Sequence, residues 1–197
     1  NKIYEGISFR SQTIDLILNT LQEKNKREEQ HSVRVSRICV EIGKAINLPE
    51  SEINKLKVIG LLHDIGKIGV SESILNKMGR LTESEFEQIK KHSEIGYRIL
   101  SSSSQTSEIA QDVLDHHERY DGGGYPRGKT GNKLSLMTKI LTIADSYDAM
   151  TSERPYKNPL SKSEAIDELI RHSAKQFDPG LVDIFINSIL KNAEIVL

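Results

Sequence analysis

With 197 residues, 27 basic and 28 acidic side chains and a net charge of -1, the chain is sized for one domain with a substantial core. Balanced charge gives it no whole-chain attraction for DNA, RNA or an anionic membrane. The single cysteine, Cys39, excludes an intrachain disulfide and fits a reducing, cytoplasmic compartment.

No apolar run approaches the ~20 residues that span a bilayer, and there is no signal-peptide pattern. The start at Asn1 suggests a piece of a longer protein, compatible with an upstream sensor domain or a membrane segment outside this sequence.

Ile14, Ile17, Leu18 and Leu21 recur at helical spacing and predict a first amphipathic helix. It fades into the charged stretch from Glu23 to Glu29, expected to be solvated, and residues 1–29 read as a connector ahead of a domain over 30–197. The next helix carries Val35, Ile38, Cys39, Ile42, Ala45 and Ile46 and stops near Pro49. Ser51 opens another, in which Ile53, Leu56, Ile59 and Leu62 lead into His63-Asp64. Thr82-Glu83-Ser84-Glu85 is a capping box, predicting a helix with Phe86 and Ile89 inward and His92 beyond them. Ile95, Ile99 and Leu100 mark a further segment that ends in the serines 101 to 104. From Glu108, Ile109, Val113 and Leu114 lead up to His116-His117.

Asp121-Gly122-Gly123-Gly124-Tyr125-Pro126-Arg127-Gly128 holds too many breakers for regular structure. Ser135 starts the next helix, with Ile140, Leu141, Ile143 and Ala144 ahead of Asp145; Pro155 and Pro159 enclose a loop. Ser161-Lys162-Ser163-Glu164 is a second capping box, before Ala165, Ile166, Leu169 and Ile170. After Phe177-Asp178-Pro179, Leu181, Val182, Phe185, Ile186 and Ile189 define the last helix. No run alternates like a strand, so the expected fold is all-α, a single-domain helical bundle with an irregular Gly-Tyr-Pro loop.

His31, His63, His92, His116 and His117, with Asp64 and Asp145, fall at or near the ends of the predicted helices. The intervals 31–63, 63–92, 92–116 and 117–145 are 32, 29, 24 and 28 residues, each about a helix pair with its connection. Such spacing would bring one end of successive helices together, and bundles build their sites from side chains that several helices direct inward. Seven ligands exceed one four-coordinate ion. If Asp64 bridges, its two oxygens raise the count to eight bonds, four for each of two metals, and both ions keep positions open. Two ions about 3.5 to 4 Å apart can hold a bridging hydroxide and stabilise the attacking and leaving oxygens of a phosphoryl transfer. Nitrogen and oxygen donors without thiolate suit iron, manganese, zinc or nickel. Taken singly, each histidine would more often be a hydrogen-bonded structural residue; the combination carries the reading. His172 has no partner acid or loop near it and reads as structural.

His63-Asp64-Ile65-Gly66-Lys67, His116-His117-Glu118 with Asp121-Gly122, and Gly124-Tyr125-Pro126 resemble the signatures of the HD-GYP branch of the HD metal-dependent phosphohydrolases. His31-Ser32-Val33-Arg34-Val35, Ala144-Asp145, Ser152-Glu153-Arg154-Pro155-Tyr156 and Phe177-Asp178-Pro179 extend the resemblance over about residues 30 to 185. It implies a cyclic di-GMP phosphodiesterase that yields pGpG, and in some members GMP, with two divalent transition metals, iron or manganese before zinc or nickel. Carried over by position, His31, His63, Asp64 and Asp145 would hold one ion, and Asp64, His92, His116 and His117 the other. Lys67 would contact the scissile phosphate or protonate a leaving oxygen, Arg154 and Lys157 would bind phosphate oxygens, and Gly124 and Tyr125 would shape a guanine pocket. Members with a third metal carry a glutamate four residues before the first histidine. Arg27 stands there instead, which favours two metals.

The alternatives are a non-hydrolysing module that binds the dinucleotide or a diguanylate cyclase partner through the Gly-Tyr-Pro loop, and a phosphodiesterase for another cyclic dinucleotide such as 3′,3′-cGAMP. The helix before His31 is compatible with pairing in a homodimer.

Overall fold

The structure is a computed structural model that describes residues 26–153 and 158–192. Helix α1 (Lys26–Ala45) packs along α2 (Glu50–Leu62), which gives way through Asp64 to a 3-10 turn at Ile65–Gly69. The short α3 (Glu72–Leu75), then α4 (Glu83–Lys90), α5 (His92–Ser101) and α6 (Ser107–Asp115) follow. After the irregular segment and a 3-10 turn at Gly131–Lys133 come α7 (Leu136–Thr151), α8 (Lys162–Arg171) and α9 (Pro179–Ile184), which continues as a wider turn over Phe185–Leu190. Among the described residues β-pairing is confined to two isolated bridges, Asp121 with Thr130 and Ser173 with Phe177. The all-α expectation holds.

Local chemistry sets the helix boundaries. Thr82 and Ser161 each form the full capping box, with Glu85 and Glu164 reaching back to the cap backbone. The Ser135 hydroxyl accepts from Thr138 N, and the Asp178 carboxylate accepts from Gly180 N and Leu181 N while Pro179 occupies a first-turn position where its missing N–H costs nothing.

One contiguous core forms from α1, α2, α6, α7, α8 and the C-terminal helix, with Ile42, Leu56, Ile59, Leu62, Ile109, Ile140, Leu169 and Phe185 fully buried. Each such aliphatic or aromatic side chain contributes about 1.5–3 kcal/mol of burial. The 3-10 turn lies tight against α5 because residue 66 has no side chain: a Cβ on Gly66 would stand 1.8 Å from His92 O and 2.6 Å from Gly96 N.

Some expectations differ in detail. The first predicted helix, over Ile14 to Leu21, lies outside the described residues. The stretch from Glu23 to Glu29 is not simply a solvated run, since α1 is already formed at Lys26 and the division between 29 and 30 falls inside it. Phe86 is 45% exposed rather than inward, on a helix that buries none of its residues. Ile170 is likewise exposed, because a helix turns about 100° per residue and Leu169 takes the core position beside it.

Candidate metal centre

Three helix ends and two helix interiors deliver the ligand candidates. His63 caps the C-terminus of α2, with Asp64 next to it; His92 is the first residue of α5; His116 caps α6, followed by His117. His31 and Asp145, by contrast, sit inside α1 and α7, so their expected placement at helix ends is corrected: each rides a helix that crosses the site. All seven predicted side chains nevertheless converge.

They form two groups around Asp64. His31, His63 and Asp145 make one set of mutually close donor atoms, and His92, His116 and His117 the other, each within 4.8 Å. Asp64 lies between the sets with its oxygens divided. Oδ2 faces His63 Nε2 at 3.3 Å and His31 Nε2 at 3.6 Å, whereas Oδ1 faces His92 Nε2 at 3.4 Å and His116 Nε2 at 4.0 Å. Asp145 Oδ1 is 3.2 Å from His31 Nε2 and 3.9 Å from His63 Nε2.

Backbone carbonyls fix which ring nitrogen carries the proton. His63 Nδ1–H donates to Gly60 O at 2.9 Å, His92 Nδ1–H to Ile89 O at 2.6 Å, and His116 Nδ1–H to Val113 O at 2.5 Å. A carbonyl only accepts, so each Nδ1 bears hydrogen and each neutral ring turns an Nε2 lone pair inward. His31 is oriented the same way through a carboxylate, Nδ1–H donating to Asp148 Oδ2 at 2.7 Å.

These donors fit a cation. His92 Nε2 and His116 Nε2 stand 3.2 Å apart, two lone pairs that repel unless positive charge lies near both. His63 Nε2 is buried without a hydrogen-bond partner, a costly state for a polar atom that has no ion to bind.

Protonation preferences follow the same division. Burial pushes His92 and His116 below the usual histidine range, helped by the Lys67 charge at His92 and by the neighbouring imidazoles at His116, and burial with His92 takes His117 down to about 3. On the carboxylate side burial also disfavours charge, but hydrogen bonds to Asp145 and Asp148 outweigh it and raise His31 to about 9. Burial pushes Asp64 up, yet Lys67 and His63 hold it well below the ordinary carboxylate value. One side is therefore rich in carboxylates and the other in neutral imidazoles.

Lys67 Nζ lies 2.8 Å from Asp64 Oδ2 and 2.6 Å from Glu28 Oε2. Glu28 sits three residues before His31, and so on the same face of α1, which turns it inward. Gly124 is pressed against the segment 117–119 that follows α6, where a Cβ would meet His117 O, Glu118 Cα and Arg119 N, each at 2.5 Å. Tyr125 N donates to His117 O at 3.2 Å, and the Tyr125 ring lies 4.8 Å from the His117 ring. Arg154 and Lys157 lie outside the described residues.

Sequence reading missed Asp148, Arg34 and Glu118 as parts of the site. Asp148 orients His31 and is itself gripped by Arg34, Nε to Oδ1 at 2.5 Å and Nη2 to Oδ2 at 3.1 Å. The available signal was spacing, since Asp148 follows Asp145 by three residues and Arg34 follows His31 by three. Glu118 is fully buried and accepts from Arg127 N at 2.6 Å and Lys129 N at 2.9 Å, which anchors the Gly-Tyr-Pro segment. Two cavities flank the centre. One of about 360 Å³ is lined by Phe86, Lys90, His117, Tyr125, Ser146 and Gln176, and the other, of about 300 Å³, by Arg27, His31, Arg34, Lys67 and Asp148.

The sequence profile of the HD domain family matches residues 14–181. The chain belongs to the HD domain family. Its motifs at His63-Asp64, His116-His117 and Gly124-Tyr125-Pro126 put it in the HD-GYP branch. This HD domain is 42% identical over 173 residues to a cyclic di-GMP phosphodiesterase of Thermotoga maritima, covering 86% of this chain and 47% of the relative. It is also 41% identical over 146 residues to a 3′3′-cGAMP-specific phosphodiesterase of Vibrio cholerae, covering 73% of this chain and 32% of that one. The HD domain spans less than half the length of the curated relatives it matches first. In solved structures the same fold occurs in an HDG"Y"P protein of Bdellovibrio bacteriovorus, with a TM-score of 0.66 at 19% identity, over 93% of this chain and 61% of that one. Among the described residues no helix is long and apolar enough to cross a membrane.

Proposed function

We propose that this HD domain is a phosphodiesterase that opens cyclic di-GMP to pGpG and that it works with two divalent transition-metal ions. The observation that carries the reading is the division of Asp64 between two donor groups, one oxygen toward His31 and His63 and the other toward His92 and His116. On this reading His31, His63, Asp64 and Asp145 hold one ion, and Asp64, His92, His116 and His117 hold the other. Bound ions would supply the charge that activates water and stabilises the attacking and leaving oxygens. Nitrogen and oxygen donors without thiolate suit iron, manganese, zinc or nickel alike, and the family resemblance puts iron or manganese first.

The remaining roles belong to the chain. Hydrolysis breaks one P–O3′ bond, joins a water oxygen to phosphorus and leaves a proton on the 3′-oxygen. Asp148 and the three backbone carbonyls direct Nε2 of His31, His63, His92 and His116 inward; His92 and His116 offer it as a lone pair, whereas His31, raised to about 9, would give up a proton to a bound ion. Lys67 loses charge-favouring hydration on burial, yet Asp64 and Glu28 more than restore it and hold the ammonium charged. It suits neutralising a phosphoryl oxygen better than giving up a proton. Arg154 and Lys157 would add phosphate contacts, and Tyr125 with Gly124 would wall the base pocket.

The test is turnover. Protein loaded with iron or manganese under reducing conditions should convert cyclic di-GMP to pGpG, read by chromatography, and His63→Ala and Asp64→Ala should abolish conversion while the helical circular dichroism persists. No product with either metal would overturn the reading. The Vibrio cholerae relative favours a second substrate, 3′,3′-cGAMP; a direct competition between the two dinucleotides ranks them. A non-hydrolysing binding module is disfavoured by the ligand set, because mere binding does not need seven converging donors.

A further inference from the structure

The cavity beside the Gly-Tyr-Pro loop carries a side chain that neither the motifs nor the proposed chemistry uses. Gln176 lies in the segment between α8 and α9, and it enters the cavity that Tyr125, Phe86, Lys90 and His117 line. Its backbone is stitched to the loop, since Tyr120 N donates to Gln176 O at 3.2 Å and Asp121 N to Lys175 O at 2.7 Å. Its amide is fixed at both ends. Arg119 Nη1 donates to Gln176 Oε1 at 3.2 Å, and Gln176 Nε2 donates to Ser146 Oγ at 3.2 Å. Arginine has no acceptor, so the end facing Arg119 is the oxygen and the amide cannot flip. Arg119 is held in turn by Asp121, Nε to Oδ1 at 3.1 Å and Nη2 to Oδ2 at 2.8 Å.

These contacts leave Gln176 one N–H and one oxygen lone pair on neighbouring atoms. The cavity thus combines an aromatic face, Tyr125, with an oriented donor–acceptor edge, next to His117 and Asp145 of the metal centre. A flat heterocycle stacks on an aromatic ring whatever its identity. The edge adds hydrogen bonds, and an amide can pair with either purine. Its oxygen accepts guanine N1–H while its N–H donates to O6; shifted along the edge, the same atoms accept from adenine N6–H and donate to a ring nitrogen.

We propose that Gln176 is the residue that reads the edge of the purine adjoining the scissile phosphate, and that as an amide it admits guanine and adenine alike. The inference rests on the phosphodiesterase reading and adds its base selectivity. Replacing the amide by a carboxylate would remove the donor. Two acceptors side by side suit guanine N1–H and N2–H but oppose the lone pair of adenine, so Gln176→Glu should select guanine.

The experiment uses one asymmetric substrate as its own control. Opening 3′,3′-cGAMP at one phosphate or the other gives pApG or pGpA, according to which base occupies the cavity. The ratio is independent of overall activity. Wild-type protein should give both products in comparable amounts. Gln176→Glu should shift the ratio at least tenfold toward the product formed with guanine in the cavity, within the about 5- to 150-fold that one bidentate base contact discriminates. Gln176→Leu, which removes the edge without charge, should lower kcat/KM at least fivefold with little change in the ratio. A Gln176→Glu ratio within twofold of wild type, or a Gln176→Leu loss below twofold, would overturn the assignment. If wild-type protein opens neither 3′,3′-cGAMP nor cyclic di-GMP, the phosphodiesterase reading fails as well, and the two failures are told apart by the wild-type reaction alone.

Discussion

Gly66→Ala should separate the two halves of the centre. The new Cβ would stand 1.8 Å from His92 O and 2.7 Å from His92 C, both backbone atoms that no side-chain rotation can move aside. Restoring a contact of about 3 Å or more requires the 3-10 turn and the start of α5 to part by over 1 Å, an overpacking strain of about 1–3 kcal/mol. For a domain of this size that corresponds to a fall in Tm of roughly 2–12 °C. Asp64 lies two residues before Gly66, and its Oδ1 is 3.4 Å from His92 Nε2, so the movement falls directly on that pair. Metal–ligand distances tolerate about 0.2 Å, and the His92, His116 and His117 group would lose its shared carboxylate oxygen. The expected result is a drop from two ions to about one per chain by elemental analysis, with turnover reduced about a hundredfold. Scanning calorimetry of the chelated protein reads the strain separately. Two retained ions together with a Tm within 1 °C of wild type would refute the reasoning.

Asp148→Asn should leave the helices intact and weaken metal binding about 10- to 100-fold, because His31 loses the carboxylate that orients its ring; titration calorimetry reads the change, and unaltered affinity counts against that role. Glu118→Ala leaves the amides of Arg127 and Lys129 without their buried acceptor and should cost about 2–6 kcal/mol in denaturant unfolding at about 1–3 kcal/mol for each orphaned group, with faster proteolysis between 119 and 131. A loss below 1 kcal/mol would mean that the loop is held by other contacts. Chelation should lower Tm, since an ion at a hundred times its Kd contributes about 2.7 kcal/mol, and the drop should shrink in His63→Ala. An equal drop in that variant would place the stabilising metal elsewhere.

The helices were legible where periodicity and caps coincided. Both capping boxes form, and Ser135 begins α7 as its sequence context indicates. Ligand spacing likewise brought out all seven donors, because histidines and aspartates that punctuate apolar helices have few bland reasons to recur so evenly. What stayed hidden depended on rotation and crossing. Asp145 was legible as a member of the converging group but not as a mid-helix residue, because the crossing of α7 over the site belongs to tertiary packing. Glu28 looked like one charge in a solvated run until the start of α1 fixed which way it faced. Gln176 carries no local signal at all: it acquires its setting only when the segment after α8 meets the Gly-Tyr-Pro loop, more than fifty residues earlier in the chain.

The four histidines held by Nδ1 differ in what mutation can reach. For His63, His92 and His116 the acceptor is main chain, at residues that happen to be glycine, isoleucine and valine. Any side chain that fits could replace these three without removing the carbonyl, so selection has no acceptor side chain there to preserve. His31 alone depends on a side chain, Asp148, and on Arg34 behind it. Drift can loosen the tautomer of one ligand by a single substitution and cannot do so at the other three, which makes the pair Arg34–Asp148 the place where lineages of this domain would first vary their grip on metal.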